Sequence, residues 1–164
     1  SSVGGWIVFV VLVLLVIIQL GNIRLSPTEQ AKTDPETALK QYAERASRIA
    51  SANVSEIGQT EIDNLLDLVD PEDVKEFKRV VPIRYTDKIR SGERPQGTGD
   101  TIQSASILKD IVSRGFHDPN FTVKETHQRA RSVDLTVQVG RRTQTVNMRE
   151  MDGLFYVNDF ARGM

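Results

Sequence analysis

Apolar and polar positions divide the chain into three regimes. From Val3 to Leu20 there is no charge and only one strongly polar side chain, Gln19. Eighteen helical residues at 1.5 Å each reach roughly 27 Å, close to the ~30 Å hydrocarbon core of a bilayer, so this run reads as a membrane span. A core helix or strand of a globular domain is rarely that long without a charge. A cleaved signal peptide fits less well, because the run exceeds the usual ~7–15 apolar residues, no basic residue precedes it and no small-x-small site follows Leu20. The pattern predicts a membrane anchor over residues 1–24, with Trp6, Phe9, Leu12, Leu15 and Ile18 as its anchoring side chains and Trp6 at the interface. Residues 25–33 are mostly polar and read as a linker.

The second regime repeats at three and four residues. Asp34-Pro35-Glu36 carries helix-start chemistry: a capping carboxylate, a proline at the first position and an acid at the positive end of the dipole. Leu39, Tyr42, Ala43, Ala46, Ile49 and Ala50 then form one apolar stripe, which predicts a helix from Pro35 to about Ala52. Ile62, Leu65, Leu66 and Val69 predict a second helix, with Thr60 and Asp63 as a capping pair. Asp70-Pro71-Glu72-Asp73 opens a third, with Val74, Phe77, Val80 and Val81 inward and Pro82 as its stop. From Arg84 to Asp100 the glycines, proline and charges break the period, which predicts a long loop suited to contact with a partner. Ile102, Ala105, Ile107, Leu108, Ile111 and Val112 predict a fourth helix ended by Gly115.

The third regime has a period of two. Phe121 to His127 alternates weakly, and Val133, Leu135, Val137 and Val139 alternate clearly with polar neighbours. Gly140-Arg141 predicts a turn, Arg142 to Met151 a strand, and Asp152-Gly153 a tight hairpin before a last strand from Leu154 to Phe160. Helices followed by an antiparallel meander define an α+β domain over residues 34–164, with the helices on one face of a curved sheet.

This order, with the closing run Val146 to Phe160, resembles the nuclear transport factor 2-like superfamily, including its small membrane-anchored bacterial members. Asp152, Gly153, Phe155, Tyr156, Asp159 and Phe160 fit the acidic-Gly-aromatic and Asp-aromatic pattern of that group's last hairpin. The resemblance implies a cone-like fold. That fold hosts enzymes, ligand binders and assembly modules alike, so function must come from residues.

Composition removes several chemistries. There is no cysteine, so disulfides, thiol catalysis and Cys-held zinc or iron–sulfur clusters are excluded. The formal net charge is −1, which supplies no general field for nucleic acid. Charge is nevertheless uneven: Leu25 to Ile83 holds seven basic and twelve acidic residues, Phe121 to Met164 seven and five. Carboxylates crowding helix starts read as caps rather than a metal cluster. His117, Asp118, Glu125 and His127 match no ligand spacing, so no metal or cofactor is expected. Gly97-Thr98-Gly99 lacks the Lys and the preceding strand of a phosphate loop. Arg129, Arg131, Arg141, Arg142 and Arg149 lack the aromatic interleaving of a nucleic-acid surface. Two glycosylation-type sequons, Asn53-Val54-Ser55 and Asn120-Phe121-Thr122, occur.

These features predict a non-catalytic accessory subunit of a membrane complex, bound to the bilayer and to other subunits. Arg84, Lys88, Arg90, Arg94, Arg141 and Arg142 are the expected partner contacts. The alternative is a tethered ligand binder with an apolar cavity lined by Tyr42, Phe77, Leu135 and Tyr156. A third, hydrolase- or isomerase-type reading uses Asp134 or Asp159 as base and requires a raised carboxylate pKa in a cavity. For orientation, Arg24 and Lys32 after the span favour a cytoplasmic domain by charge count, whereas one N-terminal span before one small domain is the build of an exporting signal anchor; the second is adopted.

Overall fold

A computed structural model describes residues 27–94, 97 and 99–164. The anchor read over residues 1–24 lies outside them, and no helix among the described residues is long and apolar enough to cross a membrane. The chain divides into two units, residues 1–31 and 32–164. The first contributes a short helix, α1 (Pro27–Ala31), in a stretch the sequence reads as linker.

The second unit is α+β. Its helices are α2 (Pro35–Ser51), α3 (Gln59–Leu66), α4 (Pro71–Arg90) and α5 (Asp100–Arg114), with a 3-10 turn at Val54–Glu56. Asp34 caps α2, accepting from the Thr37 amide at 2.9 Å and its hydroxyl at 2.7 Å. Pro35 follows at the first position, and the stripe from Ala38 to Ile49 is buried. The expected Thr60 cap does not form: Gly58 takes the cap position of α3 without a side-chain bond, and Thr60 lies inside the first turn.

The largest departure concerns Pro82, which does not stop α4. The helix runs on to Arg90, and Tyr85 extends the buried face begun by Phe77 and Val81. Proline removes one helical hydrogen bond and crowds the preceding turn, at about 3 kcal/mol. Three large side chains buried at a spacing of four outweigh that cost. Pro82 itself is exposed, and its carbonyl accepts from the Thr86 hydroxyl at 2.8 Å.

Four strands follow: β1 (Thr122–Gln128), β2 (Ser132–Val139), β3 (Arg142–Met151) and β4 (Leu154–Val157), in the order β1-β2-β3-β4, with every pairing antiparallel. Gly140-Arg141 and Asp152-Gly153 make the two expected turns. Asp152 and Gly153 both have positive φ, 53° and 77°, which fits the primed turn favoured between twisted strands. The last strand stops at Val157, and Phe160–Gly163 winds into a 3-10 turn instead of continuing it.

Val133, Leu135, Val137, Val146, Met148 and Val157 form the buried face of the sheet, joined in one core with Leu39, Ile49, Phe77, Leu108 and Ile111 of the helices. The two borders differ. Beside β4, the Phe155 amide donates to the Lys32 carbonyl at 2.8 Å, Val157 donates to Leu68 at 2.8 Å, and Asp70 donates to Val157 at 3.0 Å. That edge is covered. β1 pairs only with β2 among the described residues, is exposed along most of its length, and carries an irregularity at Lys124.

The terminal 3-10 turn is seated closely on α5. A Cβ at Gly163 would lie 2.5 Å from the Ile111 carbonyl oxygen. Gly163→Ala is therefore expected to destabilise the domain by about 2 kcal/mol through forced displacement of the turn, read from the denaturation midpoint. An unchanged midpoint would show that the turn lifts away freely.

Candidate functional site

The six basic side chains expected to contact a partner separate into three settings. Arg84 and Lys88 are engaged internally. The Arg84 guanidinium donates to the Met164 carbonyl at 2.8 Å. The Lys88 ammonium lies 2.7 Å from Asp110 and 3.4 Å from Glu93, and donates to the Ser106 hydroxyl at 3.0 Å. These two hold α4 to the terminal turn and to α5.

Arg90 and Arg94 are exposed at and just beyond the end of α4. Arg94 borders a groove of about 130 Å³ with an apolar lining from Val54, Tyr85, Ile89 and Ile102. Ile89, 46% exposed, and Ile83, 55% exposed, are the large apolar side chains left open to solvent among the described residues. Both belong to α4. Arg141 and Arg142 stand at the exposed β2–β3 turn.

The residues of the ligand-binder reading are placed differently. Tyr42, Phe77 and Leu135 are 3, 1 and 1% exposed and belong to the packed core. Burial, with Asp159 and Asp73 nearby, raises the pKa of the Tyr42 phenol. Tyr156 lies under the Lys32 ammonium, 4.7 Å from its ring centroid. The surface grooves described here are lined by other residues.

The open face of the sheet carries a polar trough. Asp134 on β2 is the register partner of Asn147 on β3, so alternation turns both away from the core. Asp134 accepts from the Arg129 guanidinium and from the Asn147 amide, each at 2.6 Å. The Asn158 amide donates to the Asn147 side-chain oxygen at 2.9 Å. Asp159 accepts from the Asn147 backbone amide at 2.9 Å and pairs with Arg162 at 3.2 Å.

These surroundings drive the two carboxyl groups apart. Asp134 is held below the ordinary carboxylate range, first by the Asn147 amide and then by Arg129. Asp159 is pushed above it, because burial outweighs the Asn147 amide and Arg162, and the Asp134 charge adds to the rise. The trough has two lobes that share Thr145, Asp159 and Arg162: one of about 570 Å³ with Arg129, Asp134, Asn147 and Asn158, and one of about 560 Å³ that includes Arg114, His117, Arg142 and Gln144. His117 Nδ1 lies 2.9 Å from the Gly115 carbonyl. A carbonyl only accepts, so Nδ1 carries the proton of this contact.

No group of three or more His, Cys, Asp or Glu among the described residues is placed to hold a metal ion. His117 and His127 are not brought together: His117 borders the trough, whereas His127 is exposed on β1 opposite Asp134. Arg114 and Arg162 were not singled out from the sequence. Each is an ordinary terminal residue of a helix or turn, and only tertiary folding sets them beside Arg142.

Compared with family models, with curated proteins and with solved structures, the chain shows no match.

Proposed function

We propose that the chain is a non-catalytic accessory subunit of a larger membrane complex. A helix over residues 1–24 anchors it, and the α+β domain docks on partner subunits. The domain is placed on the extracytoplasmic side, in keeping with a signal-anchor build. The helices-then-meander order supports the resemblance to membrane-anchored nuclear transport factor 2-like proteins, carried by the hairpin from Val146 to Phe160.

One observation carries the docking reading. Ile89 lies half open in a groove that Val54, Tyr85 and Ile102 line on the apolar side and Lys88, Glu93, Arg94 and Ser106 on the polar side, with Arg90 exposed next along the helix. An apolar anchor beside exposed cations is the composition of an interface core with a charged rim. It fits a partner surface that offers an apolar side chain and carboxylates. Helix α4 is fixed along its buried face by Phe77, Val81 and Tyr85, so the groove is presented on a rigid element.

The test is purification of the tagged full-length protein from gently solubilised membranes, followed by sizing and identification of what accompanies it. A complex of fixed composition is expected. Arg90→Glu combined with Arg94→Glu is expected to weaken association at least about tenfold by reversing the rim charge, with the melting midpoint nearly unchanged because exposed charges contribute little to stability. A lone monomeric particle, or unchanged association of the double variant, would count against the proposal.

A further inference from the structure

We propose that the lobe of the trough bounded by the end of α5, the start of β3 and the terminal 3-10 turn binds a phosphoryl-type dianion. Its walls carry three guanidiniums, Arg114, Arg142 and Arg162, together with His117, against one carboxylate, Asp159. The neighbouring lobe is balanced, with Arg129 and Arg162 facing Asp134 and Asp159. The difference is therefore local to one lobe and is not a general property of the surface.

The two lobes also differ in how far their groups are satisfied. In the balanced lobe, Arg129, Asp134, Asn147, Asn158 and Asp159 bond to one another. In the cationic lobe, the side chains of Arg114 and Arg142 make no hydrogen bond or ion pair with any described residue, and those of Ser113, Gln144 and Thr145 are equally uncommitted. Three arginines gathered around one depression with a single carboxylate, already paired with Arg162, repel each other, and an arriving anion relieves that repulsion. Guanidinium forks match phosphoryl oxygens two at a time, while the hydroxyls and amide add neutral donors.

The frame that holds these groups is firm. Arg142 is the first residue of β3 and pairs in register with Val139. Arg114 ends α5, and Arg162 sits on the turn pressed against Ile111 by Gly163. A volume of about 560 Å³ exceeds what one phosphate fills and suits a diphosphate or a phosphate ester, within the size range of small-ligand sites. Asp159 sets a threshold: a ligand must compete with its carboxylate for Arg162, which a dianion does far better than a monoanion.

The same chemistry is offered by a soluble phosphate compound and by a phosphomonoester lipid headgroup, and two arms separate these sources. In the first, the full chain in neutral detergent is titrated calorimetrically with pyrophosphate, with acetate as the monoanion control. In the second, it is sedimented with phosphatidylcholine vesicles with and without phosphatidic acid. Arg114→Gln and Arg142→Gln are each expected to weaken binding at least tenfold in whichever arm reports it. Arg141→Gln, an exposed neighbour outside the lobe, is expected to leave it unchanged. Pyrophosphate binding lost in the variants assigns a soluble ligand, and loss confined to the phosphatidic acid arm assigns a headgroup. Should Arg114→Gln perturb folding, Arg142→Gln on the exposed turn and Thr145→Ala carry the comparison. No binding in either arm, binding indifferent to Arg142, or acetate bound as tightly as pyrophosphate would overturn the proposal.

Discussion

Asp70→Ala is expected to destabilise the domain by about 3 kcal/mol, at the lower end of what breaking a buried ion pair costs. The Asp70 side chain is 2% exposed and performs two tasks at once. One oxygen accepts from the Glu72 amide at 3.0 Å and caps α4, a bond worth about 1 kcal/mol in similar positions. Both oxygens face the Arg149 guanidinium, at 3.1 and 3.0 Å. Alanine frees a helical amide and leaves Arg149 without its partner. Because Arg149 is 40% exposed, water recovers part of the loss, and the lower end of the range applies. Asp70→Asn keeps an acceptor for Glu72 and lacks the charge, so it is expected to fall between wild type and alanine. Urea unfolding of the three proteins measures both effects, and equal midpoints for the asparagine and alanine variants would show that the charge is irrelevant.

Phe77→Ala is expected to cost about 4 kcal/mol, the middle of the range for emptying a buried aromatic site. Phe77 is among the largest fully buried side chains. Its ring meets Phe160 edge to face, with centroids 5.9 Å apart and planes at 73°. Such pairs add about 1 kcal/mol beyond the area they bury. Phe160→Ala is therefore expected to be less damaging in the Phe77→Ala background than alone, by roughly that amount. Strict additivity of the two substitutions would mean that the rings are independent fillers. The pair also ties α4 to the turn that carries Arg162, so loosening it is expected to weaken pyrophosphate binding without touching the trough.

What could be read from the sequence was local chemistry. Asp34-Pro35-Glu36 and Asp70-Pro71 mark helix starts because cap, proline and dipole act within one turn. Gly140-Arg141 and Asp152-Gly153 mark hairpins because positive φ is a local demand, met here by Gly140, Asp152 and Gly153. Pro82 misleads for the converse reason. Its helix-breaking tendency is intrinsic, whereas the burial of Phe77, Val81 and Tyr85 that overrides it is a tertiary effect.

Site residues were legible in part. Asp70 was identified as a cap, but its Arg149 partner lies 79 positions away and no spacing rule reaches that far. Asp134 and Asp159 read as candidate bases, and their opposite pKa shifts arise from Asn147 and Arg129 beside the one and from burial of the other, which only the folded chain sets. Lys88 falls among the expected partner contacts because the stretch from Arg84 to Asp100 reads as a loop; Asp110, supplied by another helix, pairs with it. The cationic lobe draws Arg114, Arg142 and Arg162 from three separate elements, so it had no linear signature.

The unequal borders of the sheet limit how copies of this domain can misassociate. Unpaired strand edges are templates for adding foreign strands, and here β4 is sealed by residues 32 and 68–70 while β1 stays open among the described residues. Amyloid-type growth needs a template that survives each addition, which requires two usable sides. Two copies that meet β1 to β1 consume the open side of both, so the accident stops at a pair and does not run on into a fibre.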